Sequence, residues 1–334
     1  MPPPTLGSLQ IPAMFVFGDS LVDPGNNNPL YTFAKANYPP YGVDFPLGPT
    51  GRFCNGATVA DQLGNMLGLL LIPAFNDPST RGPNILQGVS YASSSSGILN
   101  DTGAQTGQII PLSQQVEHFG QKTVPELRTL ALNTTVEDFL ANSLFFCNNG
   151  NNDFLKNYLL PNGNLLNQEV PPEFYDSLAH EYSIRLKKLY SYGARKFIVS
   201  GLAPLGCIPM VIAFYSNDTN QCYEHHNEVS RKFSAKIKTM VQQLNQDLPG
   251  ASILYLDIYN IAKKAIDNPS DYGFKYSHTA CCGGGRANGL VQCSPVSLIC
   301  PKRAEYFFWD PFHPTEAAVK FLAKEAYDGL VQSM

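Results

Sequence analysis

Four short apolar runs punctuate the chain, at 14–17, 143–147, Lys196–Ser200 and Ser252–Leu256, each rich in β-branched or aromatic side chains. The apolar residues are consecutive rather than alternate, which predicts strands buried on both faces. Helical spacing fills the intervals. Tyr175, Leu178, Tyr182, Leu186 and Leu189 share one face of a helix over 173–190, and Val229, Phe233, Ile237 and Val241 do so over 225–244. Further helices are expected over 62–70 and 315–331, the latter with Pro314 suited to its first turn. Strands alternating with helices predict an α/β fold whose parallel sheet is covered on both sides. No internal repeat or long linker interrupts the pattern. One domain is therefore expected across residues 1–334, with extended loops at 24–56, 73–110, 201–222 and 268–312. Ligands of such sheets bind beyond the carboxyl ends of strands. Ser20 follows the first run and Asn151 to Asp153 follow the second, so both stand where chemistry is expected.

Composition narrows the class. The chain is 44% apolar and 15% charged, with a formal net charge of −4. That suffices for a large core, and the absence of any Lys/Arg-rich run speaks against a nucleic-acid partner. No stretch reaches the roughly 18 consecutive apolar residues of a membrane span. The first ten residues, MPPPTLGSLQ, lack the charged and apolar blocks of a signal peptide. Acceptor triplets for N-glycosylation nonetheless begin at Asn100, Asn133 and Asn217. The expectation is a secreted chain (extracellular, cell-wall or vacuolar) from which the leader is absent.

Of the eight cysteines, five follow position 220. His278, Cys281, Cys282, Cys293 and Cys300 could suggest zinc, but no Cys-x-x-Cys pair occurs and Cys281–Cys282 are adjacent. Disulfides are the better reading. Cys207 and Cys222 flank a turn-rich loop and could bridge it; spacing leaves the pairing of the others open.

Three polar groups carry candidate chemistry. Ser20 sits directly after the first strand, in Gly18-Asp19-Ser20, without the second glycine of a Gly-x-Ser-x-Gly elbow. Alone it reads as a turn or cap residue. Near the other end, Trp309-Asp310-Pro311-Phe312-His313-Pro314 puts a carboxylate three residues before an imidazole in a turn stiffened by prolines. Asp310 could hold one ring nitrogen of His313 while the other faces a serine hydroxyl. The alternative is an Asp capping the following helix beside a surface His. Between them, Asn148-Asn149-Gly150-Asn151-Asn152-Asp153 offers either an ordinary turn or an amide that faces a developing oxyanion.

Phe17-Gly18-Asp19-Ser20, Gly150-Asn151-Asn152-Asp153 and Asp310-Pro311-Phe312-His313, in that order, resemble the GDSL esterase/lipase family of the SGNH hydrolase superfamily. Ser20-Leu21-Val22-Asp23-Pro24-Gly25-Asn26-Asn27-Asn28 and Ala280-Cys281-Cys282-Gly283 resemble its plant form. The resemblance spans about residues 12–332. It implies a three-layer α/β/α flavodoxin-like fold with a five-stranded parallel sheet. It further implies Ser20 as nucleophile, His313 as base, Asp310 as its orienting carboxylate, and the Ser20 N–H with the Asn152 side chain at the oxyanion. No metal or organic cofactor is implied. Asp23 and Asn26 to Asn28 are expected to fix the following loop through side-chain bonds to backbone.

One block departs from the family pattern. In Gly88-Val89-Ser90-Tyr91-Ala92-Ser93-Ser94-Ser95-Ser96-Gly97, serine stands at 90 where the family has asparagine, and at 94 and 95 where it has glycine. The glycine that supplies an oxyanion N–H aligns with Ser94, so Ser94 is the expected third donor, beside an altered acyl pocket. The resulting expectation is a serine carboxylic-ester hydrolase acting on a small-molecule, lipid or acylated-glycan ester. An acyltransferase using the same acyl-enzyme, and a binding protein that has lost catalysis, are the alternatives.

Overall fold

The computed structural model describes residues 10–160 and 169–333. The expectation of an absent leader concerns residues 1–9, which lie outside the described residues. Four strands form a parallel sheet in the order β1 (Met14–Gly18), β2 (Leu144–Asn148), β3 (Lys196–Ser200) and β4 (Ser252–Leu256). A second small sheet pairs β5 (Tyr276–Ala280) with β6 (Tyr306–Phe308).

The expected fifth strand needs correction. Its place beside β1 is taken by the irregular segment 87–93. The Met14 and Val16 N–H groups donate to Gln87 and Val89 carbonyls at 3.0 Å, and those of Tyr91 and Ser93 donate to Val16 and Gly18 at 2.8 and 3.0 Å. Only Val16 and Ser90 form a bridge pair, because Gly88 at φ +114° and the turn through Ser95 at φ +70° bend the segment at both ends. Counted along the chain, the five segments lie in the order 2-1-3-4-5, so the order reverses between β1 and β2.

Side chains on β1 alternate between the two faces, as a period of two requires. Met14 reaches toward the helix Val59–Met66, while Phe15 and Phe17 pack on Phe119 at centroid distances of 5.0 and 6.0 Å. Helices Leu112–His118, Pro172–Ser191 and Glu224–Asp247 lie on the Phe119 side; Val59–Met66, Ile258–Asp267 and Glu316–Ser333 form the other layer. The principal core cluster runs in sequence from Ile11 to Leu330.

Two helix boundaries differ from expectation. The helix expected over 62–70 starts at Val59 and stops at Met66: Thr58 and Asp61 form a capping box, and Gly68 at φ +77° follows the end. The last helix begins at Glu316, with Thr315 Oγ1 accepting from the Ala318 N–H, so Pro314 precedes the cap instead of opening the first turn. Among the described residues no helix is long and apolar enough to cross a membrane.

The long loop at 24–56 is bolted to this frame. Arg52 Nε and Nη2 donate to the two Asp61 oxygens at 2.7 and 2.8 Å, and both side chains are buried. Burial pushes the Asp61 carboxyl up, but the Arg52 charge and hydrogen bonds outweigh it and hold the carboxyl below its usual range. Arg52 Nη1 also donates to the Pro24 carbonyl and to Thr50. Asp61→Ala leaves a buried guanidinium without its partner and is expected to cost about 3–5 kcal/mol in urea unfolding. A loss below about 1 kcal/mol, as for a surface pair, would contradict that role.

Candidate active site

Gly18 ends β1 where a side chain has no room: an added Cβ would lie 2.4 Å from Val22 Cγ2 and 2.8 Å from the Asn148 carbonyl. The Gln115 amide holds the same residue from the other side, accepting from Gly18 N–H and donating to Gly18 O, both at 2.9 Å. Asp19 then turns the chain by accepting from the Leu21 N–H at 3.0 Å. Burial pushes the Asp19 carboxyl up to about 6, against the lowering effect of that bond and of Asn151 and His313. Ser20 is thereby presented at the strand end.

The second wall comes from the carboxyl-terminal turn. Trp309 N–H donates to the His313 carbonyl at 2.7 Å, closing a loop around Asp310. Asp310 Oδ1 accepts from the Phe312 and His313 N–H groups, each at 2.8 Å. His313 Nδ1 lies 2.8 Å from both carboxylate oxygens, and His313 Nε2 lies 2.7 Å from Ser20 Oγ. Asp310 is fully buried and His313 is 7% exposed. Thr315, not Asp310, caps the following helix, which removes the capping alternative. Burial raises the Asp310 carboxyl, but His313 and the donors around it hold it below its ordinary range. An imidazole fixed between a carboxylate and a hydroxyl can take the hydroxyl proton while its new charge is balanced.

The third wall follows β2. The short helical turn Asn151–Phe154 opens after Gly150 at φ +115°. Asn152 Nδ2 donates one hydrogen to the Ser96 carbonyl at 3.0 Å and lines the same cavity as Ser20, His313, Ser94 and Ser95. An amide NH₂ has a second hydrogen to give. The expected Ser94 donor needs correction. Its N–H is committed to Asp23 Oδ2 at 3.0 Å. The N–H groups of Ser20 and Ser95 have no acceptor among the described residues, so the available donor lies one residue further on. Ser95 adopts φ +70°, a left-handed conformation that costs a non-glycine residue about 1–2 kcal/mol.

The serine block is held from beneath. Asn26 Nδ2 donates to the Ser90 and Ala92 carbonyls at 2.8 Å, and Asn27 Nδ2 donates to that of Ser94 at 3.0 Å. Asn28 Nδ2 donates to Thr50 O at 2.9 Å. The asparagines therefore fix backbone, as expected, but largely backbone distant in sequence. The Ser93 and Ser96 hydroxyls bond inward, to Asn27 Oδ1 and to the Gly18 and Ser93 carbonyls, and so stay out of the cleft. Asp153 accepts from the Ile98 and Leu99 N–H groups and from Thr102.

With this geometry in place, comparison with known proteins is decisive. Residues 14–326 match the model of the GDSL-like Lipase/Acylhydrolase family. The chain belongs to that family. It is 44% identical over 334 residues to the Arabidopsis thaliana protein named GDSL esterase/lipase At1g71691, covering 98% of this chain and 86% of that protein. It is 43% identical to GDSL esterase/lipase At1g71250 of the same plant, over 97% of this chain and 86% of the relative. A solved structure described as a possible lipase from Chitinophaga pinensis overlays with a TM-score of 0.42 at 10% identity, covering 96% of this chain and 98% of that one, too distant to add to the argument. This GDSL-family chain is a serine carboxylic-ester hydrolase.

Two supports of the GDSL site carry no signal in the sequence. Tyr41, from the loop at 24–56, donates its hydroxyl to Asp310 Oδ2 at 2.7 Å, and Gln292 Nε2 donates to that Tyr41 oxygen at 3.1 Å. Gln292 is carried on a loop stapled by Cys281–Cys300 and Cys282–Cys293, while Cys207–Cys222 closes the earlier loop. All six disulfide candidates are thus paired. Cys281 and Cys282 donate their N–H groups to the carbonyls of Phe308 and Trp309, tying the staple to the turn that holds Asp310. Tyr41→Phe removes a donor to the ionised carboxylate, so the Asp310 carboxyl moves up. Ester hydrolysis is expected to lose about tenfold in kcat, with KM unchanged and the acid limb of the profile shifted to higher pH. A pure rise in KM would contradict this.

Proposed function

We propose that Ser20 is the nucleophile, His313 the general base and Asp310 the carboxylate that orients it. The observation that carries this is the unbroken chain from Ser20 Oγ through both ring nitrogens of His313 to Asp310, at 2.7 and 2.8 Å. The Ser20 hydroxyl attacks the ester carbonyl as its proton passes to His313. His313 then protonates the departing alcohol, and the acyl group rests on Ser20. Water gives a proton to His313 and its oxygen to the acyl carbon; the bond from that carbon to Ser20 Oγ then breaks, His313 returns the proton to Oγ, and the acid leaves. The Ser20 and Ser95 N–H groups and the free hydrogen of Asn152 would face the oxyanion, with Ser95 in the place expected of Ser94. The whole chain would act as one hydrolase domain.

We further propose export to an oxidising compartment. Asn100, Asn133 and Asn217 are all exposed, as glycan acceptors must be. Three disulfides within a single chain fit the same setting. The substrate would be a small-molecule, lipid or acylated-glycan ester.

A fluorophosphonate probe is expected to label the parent and not Ser20→Ala. Asn152→Ala should lower kcat by about 10²–10³ with little change in KM. Labelling that persists in Ser20→Ala, or an Asn152→Ala effect confined to KM, would overturn the assignment.

A further inference from the structure

One cation stands in the cleft without a counter-ion. The cavity that holds Ser20 and His313 has a volume of about 350 Å³. Besides His313, the charged side chains that line it are Asp19, Lys35 and Lys156. Asp19 is buried, and Lys35 Nζ donates to the Asn28 carbonyl at 3.0 Å. Lys156 has neither a hydrogen bond nor an ion pair among the described residues. Its Nζ lies 5.9 Å from the centroid of the Phe312 ring, at the outer reach of a cation–π attraction. Residues 1–9 and 161–168, outside the described residues, contain no Asp or Glu.

The local fold brings this ammonium to the reacting groups. Lys156 belongs to the π-helical turn Leu155–Leu159, which directly follows the helical turn Asn151–Phe154. Asn152 and Lys156 are four residues apart and both line the cavity, so the amide and the cation come from successive turns of one segment. Lys156 is half-buried, and burial alone pulls its ammonium below the ordinary lysine range. An ammonium carries three donors, and drawing it from water without an acceptor is costly. An anionic group entering the cleft removes that cost. A carboxylate, with one charge, matches a lone ammonium, whereas a phosphate near −2 would leave charge unmet. The Phe312 ring beneath the cation lies 6.1 Å from the His313 ring between centroids. His313 hands its proton to the departing alcohol, so the cation stands on the leaving-group flank.

We propose that Lys156 is a substrate-binding residue and that this hydrolase acts on esters whose alcohol or phenol portion carries a carboxylate. The proposal rests on Ser20 as nucleophile. The Lys156 ammonium donates to the carboxylate and so holds the leaving oxygen near His313. In the covalent step the Ser20 oxygen bonds the acyl carbon and the ester C–O bond breaks. The hydroxy acid leaves with the proton held by His313, its carboxylate unchanged, and water later releases the acyl group.

The test compares para-acetoxybenzoate with its uncharged analogue para-acetoxybenzamide on the full chain. The ratio of their kcat/KM values, charged over uncharged, is expected to fall about tenfold in Lys156→Gln. Dividing by the uncharged ester removes any general effect of the substitution on catalysis. Lys156→Glu should reverse the preference, raising kcat/KM for para-acetoxyphenyl-trimethylammonium relative to the benzamide by about tenfold over the parent. Should Lys156→Gln not fold, added salt reads the same site on the parent, and should raise KM for the benzoate but not for the benzamide. An unchanged ratio in folded Lys156→Gln, or an equal salt response of the two esters on the parent, would overturn the carboxylate site and leave the Ser20 assignment standing. No reaction of Ser20 with either ester would instead overturn the assignment beneath it.

Discussion

The constraint on which this molecule turns is the burial of the Asp310 carboxylate. An ionised carboxyl with no solvent contact is costly unless every lone pair is met. Here two backbone N–H groups, the His313 ring and the Tyr41 hydroxyl meet it. Three separate stretches of chain supply that environment. The turn at 309–313 gives the backbone donors, the loop at 24–56 gives Tyr41, and the doubly stapled segment 281–300 braces Tyr41 through Gln292. The disulfides thus act where a local hydrophobic core is thin: the small cluster of Ala36, Tyr41, Phe53, Trp309 and three half-cystines. Removing solvent from Asp310 strengthens its hold on the His313 ring, which is what a base between carboxylate and hydroxyl requires.

The parallel sheet does the rest of the positioning. Strand order reverses between β1 and β2, and a crevice opens at such a reversal. Ser20 follows β1 and Asn152 follows β2, so adjacent parallel strands deliver the hydroxyl and the amide side by side. The irregular fifth segment contributes Ser95 from the other flank of β1. Beyond its four backbone bonds to β1, this segment and the turn that follows it are held by the carboxylates of Asp23 and Asp153 and the amides of Asn26 and Asn27. Burial pushes both carboxyls up to about 6, against the N–H groups they accept from. That polar bedding explains how serine can stand at 94 and 95: the conformation is imposed by long-range hydrogen bonds, and glycine's freedom is a convenience.

Much of this was legible in the sequence. Consecutive apolar runs marked all four regular strands, because a doubly covered parallel sheet leaves no polar face. The motifs around Ser20, Asn152 and His313 were legible because each is local. β5, with the sequence Tyr276-Ser277-His278-Thr279-Ala280, was not, since a strand in a two-stranded edge sheet needs no apolar run. The helix Ile258–Asp267 was hidden because its capping Asp257 directly follows β4. Tyr41, Gln292 and Gln115 were invisible for a different reason. Their partners lie 269, 251 and 97 residues away, and no spacing rule connects them. That the Ser94 N–H is already occupied escaped notice for the same reason, because the Asp23 carboxylate that accepts from it is 71 residues distant.

The most direct test of the central claim is a crystal structure of the protein carrying a phosphonate on Ser20. One phosphoryl oxygen is expected within about 2.7–3.1 Å of the Ser20 N–H, the Ser95 N–H and Asn152 Nδ2. The Asp310–His313 contact and the Asp23 bond to Ser94 should be intact. A phosphoryl oxygen bound by the Ser94 N–H, or turned to solvent away from Asn152, would contradict it.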